Sequence, residues 1–155
     1  MVERAITVAA WESLFRAQVT IMRALAAEFP SEIMSLNEYD VLFNITRAPQ
    51  RRLRLKDLNR AVLITQPSVS RLVDRLASRG LVTKAHDPDD GRGTIVAITE
   101  EGFATFRRVA FSHMDAISRH VGPALDDGEL RELIALCDRL RRAIGETQPA
   151  SNPDE

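Results

Sequence analysis

The chain has 155 residues and a formal net charge of −1, and 45% of its residues are hydrophobic and 28% charged. This composition is typical of one globular domain with helical extensions. The longest unbroken apolar run has five residues, Leu133 to Cys137, so the sequence predicts no membrane-spanning segment. The polar start of the chain is unlike a signal peptide, and the single cysteine excludes an internal disulfide, so we expect a cytoplasmic protein.

The small net charge conceals a strongly basic segment. Between Arg51 and Lys84 there are nine basic and two acidic residues, so this segment carries +7 and the rest of the chain −8. A localised positive face is typical of proteins that bind nucleic acids. A charged surface that is merely solvated is the common alternative, and the charge alone leaves both interpretations open.

Apolar spacing and capping residues predict the elements of the N-terminal part. Apolar side chains repeat at intervals of four and three residues and predict a long helix over residues 3–29, which Pro30 ends. Ser35 and Glu38 have the spacing of a capping box and predict the start of a second helix. Arginine and leucine alternate over residues 51–55, which predicts a short strand.

The middle of the chain predicts two short helices followed by a hairpin. A compact helix over residues 56–62 precedes a break, and Thr65 is expected to cap a second helix that Gly80 ends. The apolar residues of this second helix fall on one narrow stripe, with polar side chains opposite. Two β-forming runs, 81–86 and 94–99, predict a hairpin whose seven-residue connection is too long for a two-residue turn.

Two further helices are predicted in the C-terminal part. Thr99 is expected to cap a long helix that runs to about Val121, with acidic residues in its first turn. A last helix begins near Asp126 and places Cys137 among its apolar positions, where we expect a buried packing thiol. The tail over residues 147–155 is predicted to be disordered.

This order of elements predicts a mainly α fold, α+β in strict terms, that contains a winged helix-turn-helix. The second helix of such a unit enters the major groove, where arginine recognises guanine and serine reaches bases or phosphates. The hairpin connection carries one cation, Arg92, which is suited to the adjacent minor groove.

The motifs resemble those of the MarR family of bacterial transcriptional regulators. They are the run Val-Ser-Arg-Leu-Val-Asp-Arg-Leu within residues 58–82, Asp-Pro-x-Asp-x-Arg from Asp87, and Thr-x-x-Gly from Thr99. The resemblance covers about residues 5–145 and implies an obligate homodimer that binds a pseudo-palindromic operator. It implies a dimerisation helix over residues 1–34, a winged helix-turn-helix domain over 35–99, C-terminal dimerisation helices over 100–146 and a disordered tail over 147–155.

The resemblance also implies which residues contact double-stranded DNA. In the recognition helix these are Gln66, Pro67, Ser68, Ser70, Arg71 and Arg75. In the wing they are Asp90 and Arg92, of which the aspartate typically orients the arginine. Gly91 stands where many members carry a second wing cation, and Thr65 replaces an acidic residue that some members use to couple the helix to the wing.

The implied function is that of a repressor released by a small aromatic or phenolic effector. In this family effectors bind between the dimer helices and the winged domain, and the candidate ligand-binding residues here are Trp11, Phe15, Arg16 and Arg23. A winged-helix metal sensor is an alternative, because His113 and His120 share a helix face. A helical protein-interaction module without DNA binding is another. The sequence contains no constellation typical of an enzyme, a metal site or a cofactor site.

Overall fold

The computed structural model describes residues 3–62 and 66–147. The chain divides into two compact units, residues 1–116 and residues 117–155. The elements in chain order are α1 (Arg4–Glu28), α2 (Leu36–Arg47), a 3-10 turn (Pro49–Arg51), β1 (Arg52–Arg54), α3 (Leu55–Ala61), α4 (Gln66–Ser78), β2 (Val82–Asp87), β3 (Asp90–Ile98), α5 (Glu100–Val121), a second 3-10 turn (Gly122–Ala124) and α6 (Asp127–Thr147). The predicted mainly α fold with a winged helix-turn-helix is confirmed.

Two of the predicted capping residues lie at helix ends as expected. At the start of α2, the Ser35 hydroxyl accepts a hydrogen bond from the Glu38 N–H at 3.2 Å. The Glu38 carboxylate accepts one from the Ser35 N–H at 2.8 Å, which completes the capping box. After α4, Gly80 has a φ of +72°, a conformation that favours glycine. The predicted cap Thr65 and the predicted tail beyond Thr147 lie outside the described residues.

One side of α4 is buried in the core of the first unit. Its four apolar positions are at most 4% exposed. They are Val69, Leu72, Val73 and Leu76. The core around them includes Leu42 and Ile45 of α2, Leu58 of α3 and Val96 of β3. Because burial of each such side chain stabilises the fold by about 1.5–3 kcal/mol, the opposite side of α4 faces outward.

The hairpin turn is shorter than predicted. The described strands form an antiparallel sheet in the order β1-β3-β2, and Asp90 of β3 already pairs with Asp87 of β2. The two-residue turn therefore consists of Pro88 and Asp89, and the prediction of a longer connection was wrong. The Asp87 carboxylate accepts a hydrogen bond from the Asp89 N–H at 3.0 Å, which stabilises the tight turn locally. The extra residues, 91–93, fall in an irregularity of β3 before regular pairing resumes.

Thr99 connects the end of α4, the end of the hairpin and the start of α5. Its hydroxyl accepts a hydrogen bond from the Gly102 N–H at 3.0 Å, as predicted for a cap, and donates one to the Gly80 carbonyl at 2.7 Å. Its own N–H donates to the Leu81 carbonyl at 3.0 Å. A Cβ atom on Gly102 would lie 1.9 Å from that same carbonyl oxygen, so only glycine allows α5 to begin this close.

The terminal helices expose apolar side chains in this single chain. On α1, Trp11 is 63% exposed and Phe15 is 52% exposed. On α6, Ile134 is 60% exposed and Leu140 is 52% exposed, whereas Cys137 is half-buried. Among the described helices, none combines the length and the apolar character that crossing a membrane requires.

His113 of α5 packs against two aromatic rings of the first unit. Its ring centroid lies 5.3 Å from that of Phe29 and 5.1 Å from that of Tyr39, both edge-on. Its Nδ1 is buried and has no hydrogen-bond partner among the described residues. Burial lowers the pKa of His113 below its usual 6.5, because desolvation disfavours the charged imidazolium.

We therefore expect acid to destabilise the fold through His113. As the pH falls through about 6.5, the unfolded chain binds a proton that the folded chain binds less readily, so the free energy of unfolding decreases. Replacing the side chain in His113→Phe should reduce this decrease in urea denaturation above and below that pH. His86→Gln, on the exposed side of β2, is the control and should keep the wild-type dependence. An unchanged pH dependence in His113→Phe would contradict the assignment.

Candidate nucleic-acid interface

The N-terminal half of α4 presents the predicted recognition residues. Gln66 and Pro67 are its first two residues, and Ser68 and Ser70 are partly exposed. Arg71 is exposed, and its guanidinium forms no ion pair with any residue that the structure describes. This half of the helix therefore offers a charged donor and hydroxyl groups to an external partner.

Arg75, also predicted to contact DNA, has a partner within the protein. Its Nε lies 3.7 Å from Oε1 of Glu38, whose side chain is only 8% exposed. Nη1 of Arg79 lies 3.4 Å from the other oxygen of the same carboxylate. Nη2 of Arg79 donates a hydrogen bond to the Ile33 carbonyl at 2.6 Å. Arg75 thus differs from Arg71, because only Arg75 is held by a carboxylate of α2.

The wing presents Arg92 near the end of the hairpin. Its side chain is exposed, and it forms no ion pair within the described part of the chain. The Asp90 carboxylate accepts a hydrogen bond from the backbone N–H of Arg92 at 3.2 Å. Asp90 therefore fixes the backbone at this position, whereas the family resemblance implies that the aspartate orients the arginine side chain.

An ion pair with a buried carboxylate fixes the end of the wing next to its turn. Nε of Arg54 on β1 lies 2.6 Å from Oδ2 of Asp87, whose side chain is 1% exposed. An added Cβ on Gly93 would lie 2.9 Å from Cβ of Asp87, so glycine makes room for this carboxylate. In the sequence, Arg54 is recognisable only as one of the nine basic residues between Arg51 and Lys84. Its partner lies far along the chain, and no local spacing indicates the pair.

A second ion pair joins the wing to the recognition helix. Nζ of Lys84 on β2 lies 2.5 Å from Oδ1 of Asp74 on α4. Both side chains are about half exposed, so the pair contributes little to stability. It nevertheless connects the hairpin to α4, although Thr65 replaces the acidic residue that some members of the family use for this purpose.

The four predicted ligand-binding residues line one groove on α1. The groove has a volume of about 630 Å³, and all its lining residues belong to α1. They are Trp11, Glu12, Phe15, Arg16, Val19, Thr20 and Arg23. The rings of Trp11 and Phe15 stack with centroids 5.9 Å apart. Among the described residues there is no cluster of three or more His, Cys, Asp or Glu side chains placed to hold a metal ion.

A winged helix-turn-helix with a basic, outward-facing recognition helix defines a DNA-binding protein. Comparison with known proteins shows to which family of DNA-binding proteins this chain is similar. A sequence model of the MarR family matches residues 34–93, which cover most of the winged helix. The chain is 28% identical over 134 residues to the HTH-type transcriptional regulator PecS of Dickeya dadantii (strain 3937), a match that covers 85% of this chain and 80% of PecS.

Solved structures agree with this family. The MarR-family regulator Sco3205 of Streptomyces coelicolor was solved in complex with DNA. It is 26% identical to this chain and superimposes with a TM-score of 0.76. The match covers 100% of this chain and 96% of Sco3205. BpsR of Bordetella bronchiseptica, whose DNA binding is regulated by 6-hydroxynicotinic acid, shares the fold at 22% identity and a TM-score of 0.73, covering 86% of this chain and 98% of BpsR. The winged helix of this chain thus matches the sequence model of the MarR family, and the chain is similar in sequence and fold to MarR-family transcriptional regulators.

The wing has space for an additional cation at Gly91. A Cβ at Gly91 would meet no atom within 4 Å, in contrast to Gly93. We expect Gly91→Arg to strengthen binding to DNA of any sequence and to steepen the dependence of affinity on salt by about one unit of slope for each wing. The measurement is the dissociation constant for a duplex over a series of salt concentrations. Gly91→Gln adds a long uncharged side chain and should leave the slope unchanged; an unchanged slope in Gly91→Arg would exclude a phosphate contact at this position.

Proposed function

We propose that this protein is a homodimeric repressor that binds a pseudo-palindromic operator and is released by a small aromatic effector. One observation carries the DNA-binding part of the proposal. Arg71 and Arg92 are the exposed cations of the recognition helix and the wing that no carboxylate of the described chain neutralises. One is placed for a major groove and the other for the adjacent minor groove.

The proposed contacts divide into two sets with different roles. Arg71 recognises a base edge, and the start of α4 adds base or phosphate contacts from Gln66, Pro67, Ser68 and Ser70. Arg92 enters the minor groove on a turn shaped by Asp90. Arg75 is not included, because its guanidinium is paired with Glu38.

Two arginine variants test this division. Arg71→Ala should cost about 1–3 kcal/mol of binding free energy and relax discrimination at one position of each half-site. Arg92→Ala should weaken binding to all sequences and lower the salt slope, because its contacts carry little sequence information. The measurement is affinity for a duplex selected by the wild-type protein and for single-position variants of that duplex. Wild-type affinity in both variants would refute the proposed mode of DNA binding.

The exposed apolar faces support a homodimer. Stable monomers rarely leave so many large apolar side chains in contact with water as α1 and α6 each do here. A second copy of the chain would cover these faces and would place two recognition helices about 34–36 Å apart, one turn of the duplex.

Light scattering tests the oligomeric state. We expect a species of about 35 kDa at micromolar concentration, twice the 17.3 kDa of the chain. Leu140→Glu introduces a charge on the exposed apolar face of α6 and should shift the protein toward monomer. The neighbouring Arg139→Glu should not, because Arg139 is not part of the apolar face. A stable wild-type monomer at that concentration would contradict the proposed architecture.

The groove on α1 supports an aromatic acid as the effector. The stacked rings of Trp11 and Phe15 offer an apolar surface, and Arg16 and Arg23 offer cations for a carboxylate. The regulation of BpsR by an aromatic acid is consistent with this choice. Such an effector would bind one conformation of the dimer more tightly than the conformation that binds the operator. By linkage, it lowers operator affinity at most by the ratio of its affinities for these two conformations.

A competition assay with salicylate-like compounds tests the effector. We expect these compounds to release DNA from the wild-type protein at millimolar concentration or below and to be less effective on Trp11→Ala. Cys137→Ser should respond like wild type, because a thiol among apolar side chains is poorly reactive. Release by peroxide from wild type but not from Cys137→Ser would indicate a redox switch instead. If no aromatic acid releases DNA, the proposed effector class is wrong.

A further inference from the structure

Glu38 is a nearly buried carboxylate that connects α2 to the recognition helix. We propose that Glu38 limits the non-specific affinity for DNA by restraining Arg75 and Arg79, so that neither guanidinium contacts the phosphate backbone. The proposal rests on the DNA binding proposed above and adds a role for a residue that makes no contact with DNA. In this mechanism Glu38 is a positioning residue, and it acts through the two arginines.

The arginines of this region form one row. Arg71, Arg75 and Arg79 are separated by four residues each, and side chains at this spacing lie on the same side of a helix. Without a restraint, the row would present three positive charges toward a nucleic acid. Glu38 interrupts the row after its first member, because its carboxylate pairs with the second and third arginines.

The contacts around Glu38 restrain its position from several directions. One carboxylate oxygen, Oε2, accepts hydrogen bonds from the Ser35 N–H at 2.8 Å and from Nη1 of Arg79 at 3.4 Å. The other oxygen, Oε1, lies 3.7 Å from Arg75. Arg79 is additionally fixed by its hydrogen bond to the Ile33 carbonyl at 2.6 Å. The carboxylate therefore cannot turn toward solvent without losing the capping box of α2.

These ion pairs are better suited to orientation than to stability. The side chains of Arg75 and Arg79 remain 61% and 41% exposed, so solvent screens their attraction to Glu38. Burial of a carboxylate also has a desolvation cost that opposes the gain from pairing. The ion pairs of Glu38 therefore add little stability but fix two cations next to the recognition residues. An effect on DNA binding is the best explanation of this arrangement.

The expected effect follows from the nature of phosphate contacts. Each contact between an arginine and a phosphate strengthens binding regardless of sequence and releases counterions. Two additional contacts of this kind would raise affinity for every duplex and would reduce the fraction of the binding energy that depends on sequence. By withholding two arginines from the backbone, Glu38 limits the sequence-independent part of the affinity.

Glu38→Gln tests the proposal with little change to the fold. Glutamine can still accept the hydrogen bond from the Ser35 N–H, and it is found at this position of capping boxes. It removes the negative charge that holds the arginines. The probes are a duplex selected by the wild-type protein from a random-sequence pool and a shuffled duplex of the same composition. We expect Glu38→Gln to bind the shuffled duplex about three- to tenfold more tightly, with a salt slope steeper by about one for each released arginine.

A second background separates this mechanism from a general change in charge. In the double variant Arg75→Ala/Arg79→Ala, adding Glu38→Gln should change neither the affinity for the shuffled duplex nor the salt slope. The double variant alone should keep the wild-type slope, because the two arginines do not contact phosphates in the wild-type protein. If Glu38→Gln alone fails to fold, which its urea denaturation curve would reveal, the salt slope of the double variant alone still tests the proposal.

The outcomes distinguish the inference from the function on which it rests. If the wild-type protein selects no duplex and binds none, the proposed function fails. If the wild-type protein selects a duplex but Glu38→Gln binds the shuffled duplex with the wild-type affinity and salt slope, Glu38 has no role in limiting non-specific binding. The inference is also overturned if the effect of Glu38→Gln persists without the two arginines, or if the double variant has a lower salt slope than the wild type.

Discussion

The winged helix depends on the complete burial of one side of α4. The four apolar side chains of that stripe are held by α2, α3 and β3, and together they contribute more free energy than any ion pair at the surface of this unit. Because the stripe cannot rotate without exposing these side chains, the orientation of the opposite side is fixed. The start of α4 thereby becomes a rigid support for Arg71, which is the condition for recognising a base edge.

Two buried carboxylates neutralise part of the basic segment within the protein. Asp87 pairs with Arg54 next to the turn of the hairpin, and Glu38 pairs with Arg75 on α4. The high positive charge of the basic segment therefore overstates the number of cations that are left for an external partner. A count of charges along the sequence indicates a type of ligand, whereas the internal pairs show which cations already have a partner in the protein.

The sequence predicts the parts of this structure that depend on local interactions. The capping box at Ser35, the left-handed Gly80 and the apolar stripe of α4 each depend on residues a few positions apart, and the structure confirms them. The hairpin turn was predicted too long, because no strand pattern reveals the hydrogen bond that the Asp87 carboxylate accepts from the Asp89 N–H. The pair of Glu38 with Arg79 joins residues 41 positions apart, and only the packed fold brings them together.

The close contact of Gly102 with the Leu81 carbonyl determines how the winged helix can move relative to α5. With Thr99 bonded to Gly80, Leu81 and Gly102, there is no hinge between the winged helix and the start of α5. A change in the direction of α5 then moves the recognition helix and the wing together as one rigid body. In a homodimer such motion alters the distance between the two half-site contacts and leaves the contacts within each half-site unchanged. Position 102, at which this joint is closest, admits no side chain at all.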